Sequence, residues 1–258
     1  MTRPTLPATR AAALALLSLG LSGTAAQAFS YTDVQLHYGD GFRLGRNGIE
    51  ETSRAVLTLE HFSTFGYGDF FAFIDLFNDF DGPDTNTESG HYGEAYLHFS
   101  GKAFGLGLGD GILRDIGADI GINHGDDFGV GLIGARADFN VPGFNVLSLG
   151  LYSYNNYLDP FDRDLDSTYQ VTIVWNAPFE IGNQKFTAQG FVDFIGDQGS
   201  GVDDQIVFSP QLRWDVGNAL GHEPGKFDLG LEYTHFNNKF GVTGVDDNSL
   251  TIFAAMKF

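Results

Sequence analysis

From Phe29 onward the chain alternates apolar and polar residues with a period of two, and it almost nowhere shows the i, i+3, i+4 spacing of an amphipathic helix. At the C-terminus Leu250, Ile252, Ala254, Met256 and Phe258 share one face, and Ser249, Thr251, Phe253, Ala255 and Lys257 share the other. The same split separates Phe227, Leu229, Leu231 and Tyr233 from Asp228, Gly230, Glu232 and Thr234. The alternation predicts twelve strands, at 31–38, 53–62, 69–77, 91–100, 114–122, 128–139, 144–154, 168–176, 185–194, 205–215, 226–236 and 249–258. Most approach the roughly 9 to 11 residues that a tilted strand needs to cross a bilayer, whereas strands of soluble sandwiches average about 5 to 6.

The connections repeat the message in charge. Numbered from the N-terminus, the odd ones (39–52, 78–90, 123–127, 155–167, 196–204 and 237–248) hold 18 acids and 4 bases, while the even ones hold only Asp110, Glu180, Glu223 and Lys102. Such parity is expected if odd loops emerge on one side of a membrane and even turns on the other. Long strands, an even strand count and parity together predict an all-β fold, a transmembrane antiparallel β-barrel of 12 strands. The fourth and tenth connections are longer than the short periplasmic turns of that architecture. Ahead of the barrel, Arg3 and Arg10 precede an apolar run at 11–21 and the small-residue site Ala26-Gln27-Ala28. Residues 1–28 therefore read as a secretory signal peptide and 29–258 as the barrel, placed in an outer membrane of Gram-negative type.

Composition then removes whole classes of function. The chain carries 35 Gly and 25 Phe but only 2 Met and 2 Trp, which suits turns and half-buried strands. Without cysteine there is no thiolate catalysis, Cys-ligated zinc or disulfide. A net charge of -19 argues against a nucleic-acid partner, because phosphates are neutralised by basic faces. Seven scattered histidines and the lack of a Gly-x-Ser-x-Gly elbow argue against an enzyme. No cofactor is expected.

Four segments carry a family resemblance: "LTLEHFSTFGYGDFFAFIDLFN" at 57–78, "YGEAY" at 92–96, "DFNVPGFN" at 138–145 and "NNKFGV" at 237–242. Together they resemble the nucleoside-specific channel-forming (Tsx-like) family of outer-membrane barrels, at low density over the whole mature chain. The resemblance implies a monomeric twelve-stranded barrel with a narrow pore for nucleosides and deoxynucleosides. In such barrels a terminal aromatic, here Phe258, is read by the assembly machinery during insertion into outer-membrane lipid.

Twelve strands about 4.8 Å apart and tilted by about 40° make a barrel about 24 Å across, of which inward side chains leave about 10 Å. By parity the lumen receives Asp33, Glu60, Asp75, Glu94, Asp115, Asp119, Asp138, Asp193, Asp215, Asp228 and Glu232 against Arg54, Arg136, Arg213 and Lys257. Such a wall repels anions. Phe71 and Phe73 point inward with Asp75, and Tyr92, Tyr96 and His98 with Glu94, on neighbouring strands. Glu60, Phe71, Phe73, Asp75, Tyr92, Glu94 and Tyr96 form the expected substrate-binding set: a base stacks on a ring while ribose hydroxyls donate to carboxylates. Arg136 with Asp138, and Arg213 with Asp215, are instead candidates for structural wall ladders. The segment 77–88 half-matches a calcium loop, with Asp79, Asp81, Gly82 and Glu88 in register but Phe77 at the first ligand position, and it reads better as a solvated acidic loop. Two functions remain in view, a substrate-selective diffusion channel and a barrel with a plugged lumen serving as a receptor, adhesin or structural element.

Overall fold

The computed structural model describes residues 29–44, 50–80, 89–108, 111–199 and 201–258; the signal-peptide expectation at 1–28 and most of the calcium-like segment lie outside the described residues. Every strand pairs antiparallel with its sequence neighbours, and the first pairs with the last, giving a closed twelve-stranded barrel. In chain order the strands are β1 (Ser30–Leu44), β2 (Glu50–Phe65), β3 (Gly68–Asp79), β4 (Ser89–Ser100), β5 (Leu113–Gly125), β6 (Gly129–Phe139), β7 (Val146–Leu158), β8 (Thr168–Ile181), β9 (Gln184–Ile195), β10 (Gln205–Trp214), β11 (Phe227–Asn237) and β12 (Asp247–Lys257). Closure leaves no edge, the condition for placing a sheet in lipid. The seam runs in register from Asp33 opposite Lys257 to Asp40 opposite Leu250.

Several strands are longer than the alternation alone predicts. β1 continues past Gly39 through a bulge between Gly39 and Phe42, and β8 runs on to Ile181, so that the expected loop 177–183 shrinks to the turn 182–183. The fourth and tenth connections stay long because each folds on itself, around a 3-10 turn at Lys102–Phe104 and the short helix α1 (Val216–Ala219). Pro210 sits inside β10 without an N–H to donate. It faces Gly190, whose φ of 151° belongs to glycine and where a Cβ would approach Ser209 O to 2.3 Å.

The outward face is apolar. Leu36, Leu59, Ile120, Ile133, Leu151, Phe194, Leu212, Leu231 and Ile252 are all exposed, while the inward Asp33, Gln35, His98, Asp119, Gln170 and Arg213 are buried. This inversion of a soluble protein is a lipid-facing band around a polar interior, and it makes the chain an outer-membrane barrel in fold. The odd loops lie on one side; the even turns, the start of β1 and the end of β12 lie on the other, which holds the two-residue turns 66–67 and 182–183 and is taken as periplasmic.

Candidate functional site in the barrel lumen

Cross-strand register orders the seven expected site residues into three rungs. Glu60, Phe73 and Glu94 lie side by side on β2, β3 and β4; Thr58, Asp75 and Tyr92 form the rung toward the loops; Phe62, Phe71 and Tyr96 form the rung toward the periplasm. Rings and carboxylates therefore interleave. Glu60 and Asp75 sit on adjacent strands yet are not opposite one another, and Thr58 donates to Asp75 at 2.6 Å. Tyr31 donates to Glu60 at 2.9 Å, Tyr92 to Glu94 at 2.7 Å, and Tyr96 to Asn123 at 3.2 Å. The Tyr96 ring lies over Gly121, where a Cβ would come within 2.6 Å of it, so the missing side chain is what lets the ring lie down.

The rings continue beyond the expected set. Centroids step from Phe71 to Phe73 (6.1 Å), Tyr92 (6.1 Å), Phe128 (6.2 Å) and Phe240 (5.5 Å), a track from mid-lumen to the loop mouth. Sequence reasoning missed the last two. Phe128 begins a run, with Val130 and Leu132, whose inward parity was readable. Phe240 lies in a loop and is held at a φ of 56°, after Asn238 at 46°, a left-handed backbone that a bulky residue adopts only when surrounding bonds impose it. Arg163 donates to Phe240 O at 2.8 Å and Asp203 N to Gly241 O at 3.0 Å. Val130, Leu132, Tyr152, Tyr154 and Ile195 make an apolar wall inside the barrel, against which Tyr96 and Phe128 pack.

Charge divides the lumen into layers. At the periplasmic side Arg213 reaches from β10 to Asp33 on β1 at 2.6 Å and to Asp228 at 3.0 Å, and Lys257 adds a contact with Asp228 at 3.5 Å. Arg136 reaches from β6 to Asp69 on β3 and holds Asp138 at 3.0 Å. His98 bridges Asp119 (3.1 Å) and Asp115 (3.4 Å), and Tyr152 donates to Asp119 at 2.7 Å. In the middle layer Glu60, Asp75, Glu94, Asp193 and Glu232 meet only hydroxyl and amide donors; among the described residues none has a basic side chain at ion-pair distance. At the loop mouth Arg54 clasps Asp79 through two bonds (2.6 and 2.8 Å), Lys239 holds Asp247, and Arg163 holds Asp159 at 2.8 Å. Burial pulls the Lys239 ammonium below its usual pKa, with Asp247 acting in the other direction. For Asp159 burial pushes upward, but hydrogen bonds from Arg163 outweigh it and leave the carboxyl below its usual range.

One expectation needs correction. Arg136 and Asp138 do form the wall pair, but Arg213 does not pair with Asp215. β10 ends at Trp214, and Asp215 turns out of the ladder to cap α1, accepting from Asn218 N at 2.8 Å and Gly225 N at 2.7 Å. As to metals, Asp69, His98 and Asp138 offer ligand atoms within 4.8 Å of one another, but Arg136 already supplies the positive charge among them.

Two cavities lie toward the two ends of the barrel and differ in volume. A funnel of about 460 Å³ opens on the periplasmic side between Lys185, Asp215, Asp228 and Lys257, whereas the space beneath Phe240, Arg163 and Asp159 is about 10 Å³, room for one water.

No protein-family model matches the chain, and no curated protein matches it. Solved structures do. The NanC porin aligns with 12% identity and a TM-score of 0.52 over 87% of this chain and 100% of its own. The KdgM porin aligns with 9% identity and a TM-score of 0.48 over 88% and 99%, and an outer membrane channel from Pseudomonas putida F1 with 11% and 0.47 over 89% and 95%. At these identities what the chain shares with the NanC porin is its fold, a closed outer-membrane β-barrel.

Proposed function

We propose that the barrel is an outer-membrane channel for passive, substrate-selective diffusion of nucleosides and deoxynucleosides, working as a monomer. The observation that carries the reading is the ring track from Phe240 to Phe71, running beside the carboxylates Glu60, Asp75 and Glu94. A flat base slides from ring to ring at a stacking strength of about 1 to 3 kcal/mol per base, while the sugar hydroxyls donate to carboxylates that no basic side chain has claimed. A phosphate would meet the same carboxylates as repulsion. The resemblance of segments 57–78 and 92–96 to the Tsx-like family supports the choice of nucleosides.

Uptake into proteoliposomes tests it. Adenosine and thymidine enter saturably and their monophosphates are excluded; Phe71→Ala with Phe73→Ala raises the half-saturating concentration by about tenfold, the equivalent of one lost stack. Equal entry of nucleoside and nucleotide refutes the reading. A second reading has its own observation: Arg213, His98, Gln35, Gln170, Asp33 and Asp119, all inward, are each 1% exposed or less, so the barrel's own side chains fill part of its bore. Absence of uptake for every small solute would favour this plugged barrel, acting as a receptor or structural element.

We also propose that the assembly machinery reads Phe258. Its amide donates to Thr32 O at 2.9 Å across the seam and its ring is exposed. Deleting it should lower the outer-membrane yield several-fold at modest expression; an unchanged yield would reduce the ring to a lipid anchor.

A further inference from the structure

The fourth connection, 101–112, is long for a periplasmic turn, and it is also apolar. Among the described residues it exposes Phe104 (69%), Ile112 (67%) and Leu106 (53%), and its 3-10 turn buries none of its residues. The tenth connection, of similar length, carries Asp215, His222, Glu223 and Lys226, buries Val216 and exposes one large apolar side chain, Leu220. Water does not explain the difference, since an ordered turn gains nothing there by holding three large apolar groups outward. The turn is nevertheless held in that pose. Gly101 N donates to Ile116 O at 3.0 Å, Phe104 N and Leu106 N both donate to Gly101 O at 3.0 Å, and Lys102 N donates to Asp115 Oδ1 at 3.4 Å. Leu106 lies over Gly101, where a Cβ would come within 2.5 Å of its Cδ1. The Phe104 ring stacks on exposed Tyr67 of the neighbouring turn 66–67, with centroids 6.4 Å apart and planes 26° from parallel.

What covers these side chains follows from where the turn is tied. Its anchor, Ile116, begins the outward column Ile116, Ile120 and Ile122 of β5, all exposed and all part of the lipid-facing band. The apolar surface of the turn continues that band past the end of the strand, on the periplasmic side. Lys102, in the same turn, is exposed, and its ammonium has no partner among the described residues. Aromatic rings and lysines are the side chains that settle at a membrane–water boundary, the ring at headgroup level and the ammonium against anionic lipid. We infer that the fourth connection is a lipid-docking surface: Phe104, Leu106 and Ile112 insert into the acyl boundary of the periplasmic leaflet beside Tyr67, and Lys102 holds the phosphate of an anionic phospholipid such as phosphatidylglycerol. A second copy of the chain fits less well, because a twofold contact through this patch would bring two unpaired Lys102 ammoniums together. The inference goes beyond nucleoside passage and does not require that the barrel conduct.

Because the chain has no cysteine, Ala103→Cys gives a single attachment point for a fluorescent label and leaves Phe104, Leu106 and Ile112 intact. Ile252→Cys on the lipid-facing wall and His222→Cys on the tenth connection are the references. The labelled barrels, each shown to be heat-modifiable, are placed in nanodiscs of phosphatidylcholine and phosphatidylglycerol, which leave both membrane faces open to solution. The label at position 103 should be quenched by nitroxide-bearing acyl chains, as at position 252, and should escape the aqueous iodide that quenches the label at position 222. Phe104→Ser with Leu106→Ser should reverse both results. At equal mole fraction, nitroxide-phosphatidylglycerol should quench the label at 103 about twofold to fivefold more than nitroxide-phosphatidylcholine, the enrichment expected of one lysine at an anionic surface, and Lys102→Gln should abolish the difference. Four results would overturn the inference: iodide access at 103 in the otherwise unchanged chain, protection from both quenchers as if a second copy covered the turn, no preference for phosphatidylglycerol, or nitroxide quenching that survives the loss of Phe104 and Leu106. None of these readouts depends on solute uptake, so failure of the channel reading would leave the lipid contact standing, and success would not rescue it.

Discussion

Two sets of lumen carboxylates differ in their company. On the periplasmic side Asp33, Asp69, Asp138 and Asp228 each end on an arginine, whereas in mid-lumen Glu60, Asp75, Glu94, Asp193 and Glu232 end on hydroxyls and amides. The residue chemistry is the same, and the partner decides the role. A carboxylate matched by a buried guanidinium is wall: its charge is spent inside the protein, and removing one member strands the other. A carboxylate held only by neutral donors has no counter-charge in the wall at ion-pair distance, and its oxygens remain available to whatever enters the bore.

The largest effect that can break this contrast comes from Arg213. Arg213→Met leaves Asp33 buried without its counter-charge and should destabilise the barrel by about 3 to 5 kcal/mol, the usual consequence of unpairing one side of a buried ion pair. A lowered denaturant midpoint for heat-modifiable migration checks it, and a wild-type midpoint would mean that the belt is decorative. By contrast, Glu60→Gln with Asp75→Asn removes carboxylates that no basic side chain meets at ion-pair distance among the described residues. Stability should change by about 1 kcal/mol or less, while nucleotide exclusion in proteoliposomes relaxes. Destabilisation on the scale of Arg213→Met would erase the distinction between the two layers.

How far the sequence carried this contrast follows from what each feature depends on. Parity is local, so the inward placement of Glu60, Asp75, Glu94 and their rings was readable from alternation, as was the pairing of Arg136 with Asp138 two positions away. The bridges from Arg136 to Asp69 and from Arg213 to Asp33 each skip two strands; curvature of the sheet brings the first pair together, and closure of the barrel the second. Asp215 continued the alternation in sequence, but its carboxylate found the free amides of α1. Phe240 depended on a backbone conformation that its residue type disfavours.

The smallest expected effect lies at the loop mouth, where Arg163 ties Asp159 and the Phe240 carbonyl together. The Asp159 pKa is lowered in the folded protein. Its contribution is therefore fully present above the unfolded value of about 3.9 and is lost as pH falls through the lower folded value. Amide exchange of the 238–246 loop should stay flat from pH 7 down to about 4, after correction for intrinsic rates, and rise only below. An increase centred near neutrality would place the control of that loop elsewhere.

The bridge from Asp33 to Arg213 has one more consequence, for the time course of insertion. The two residues lie on either side of the seam, with β11 and β12 between them. While the seam is open both charges can be hydrated, and once it shuts both are dry and matched. A half-shut seam offers neither state, since water has been expelled before the guanidinium and carboxylate have met. Partly zipped barrels therefore sit at the top of a barrier: the last strands join in one concerted step, and the finished cylinder reopens sideways only rarely.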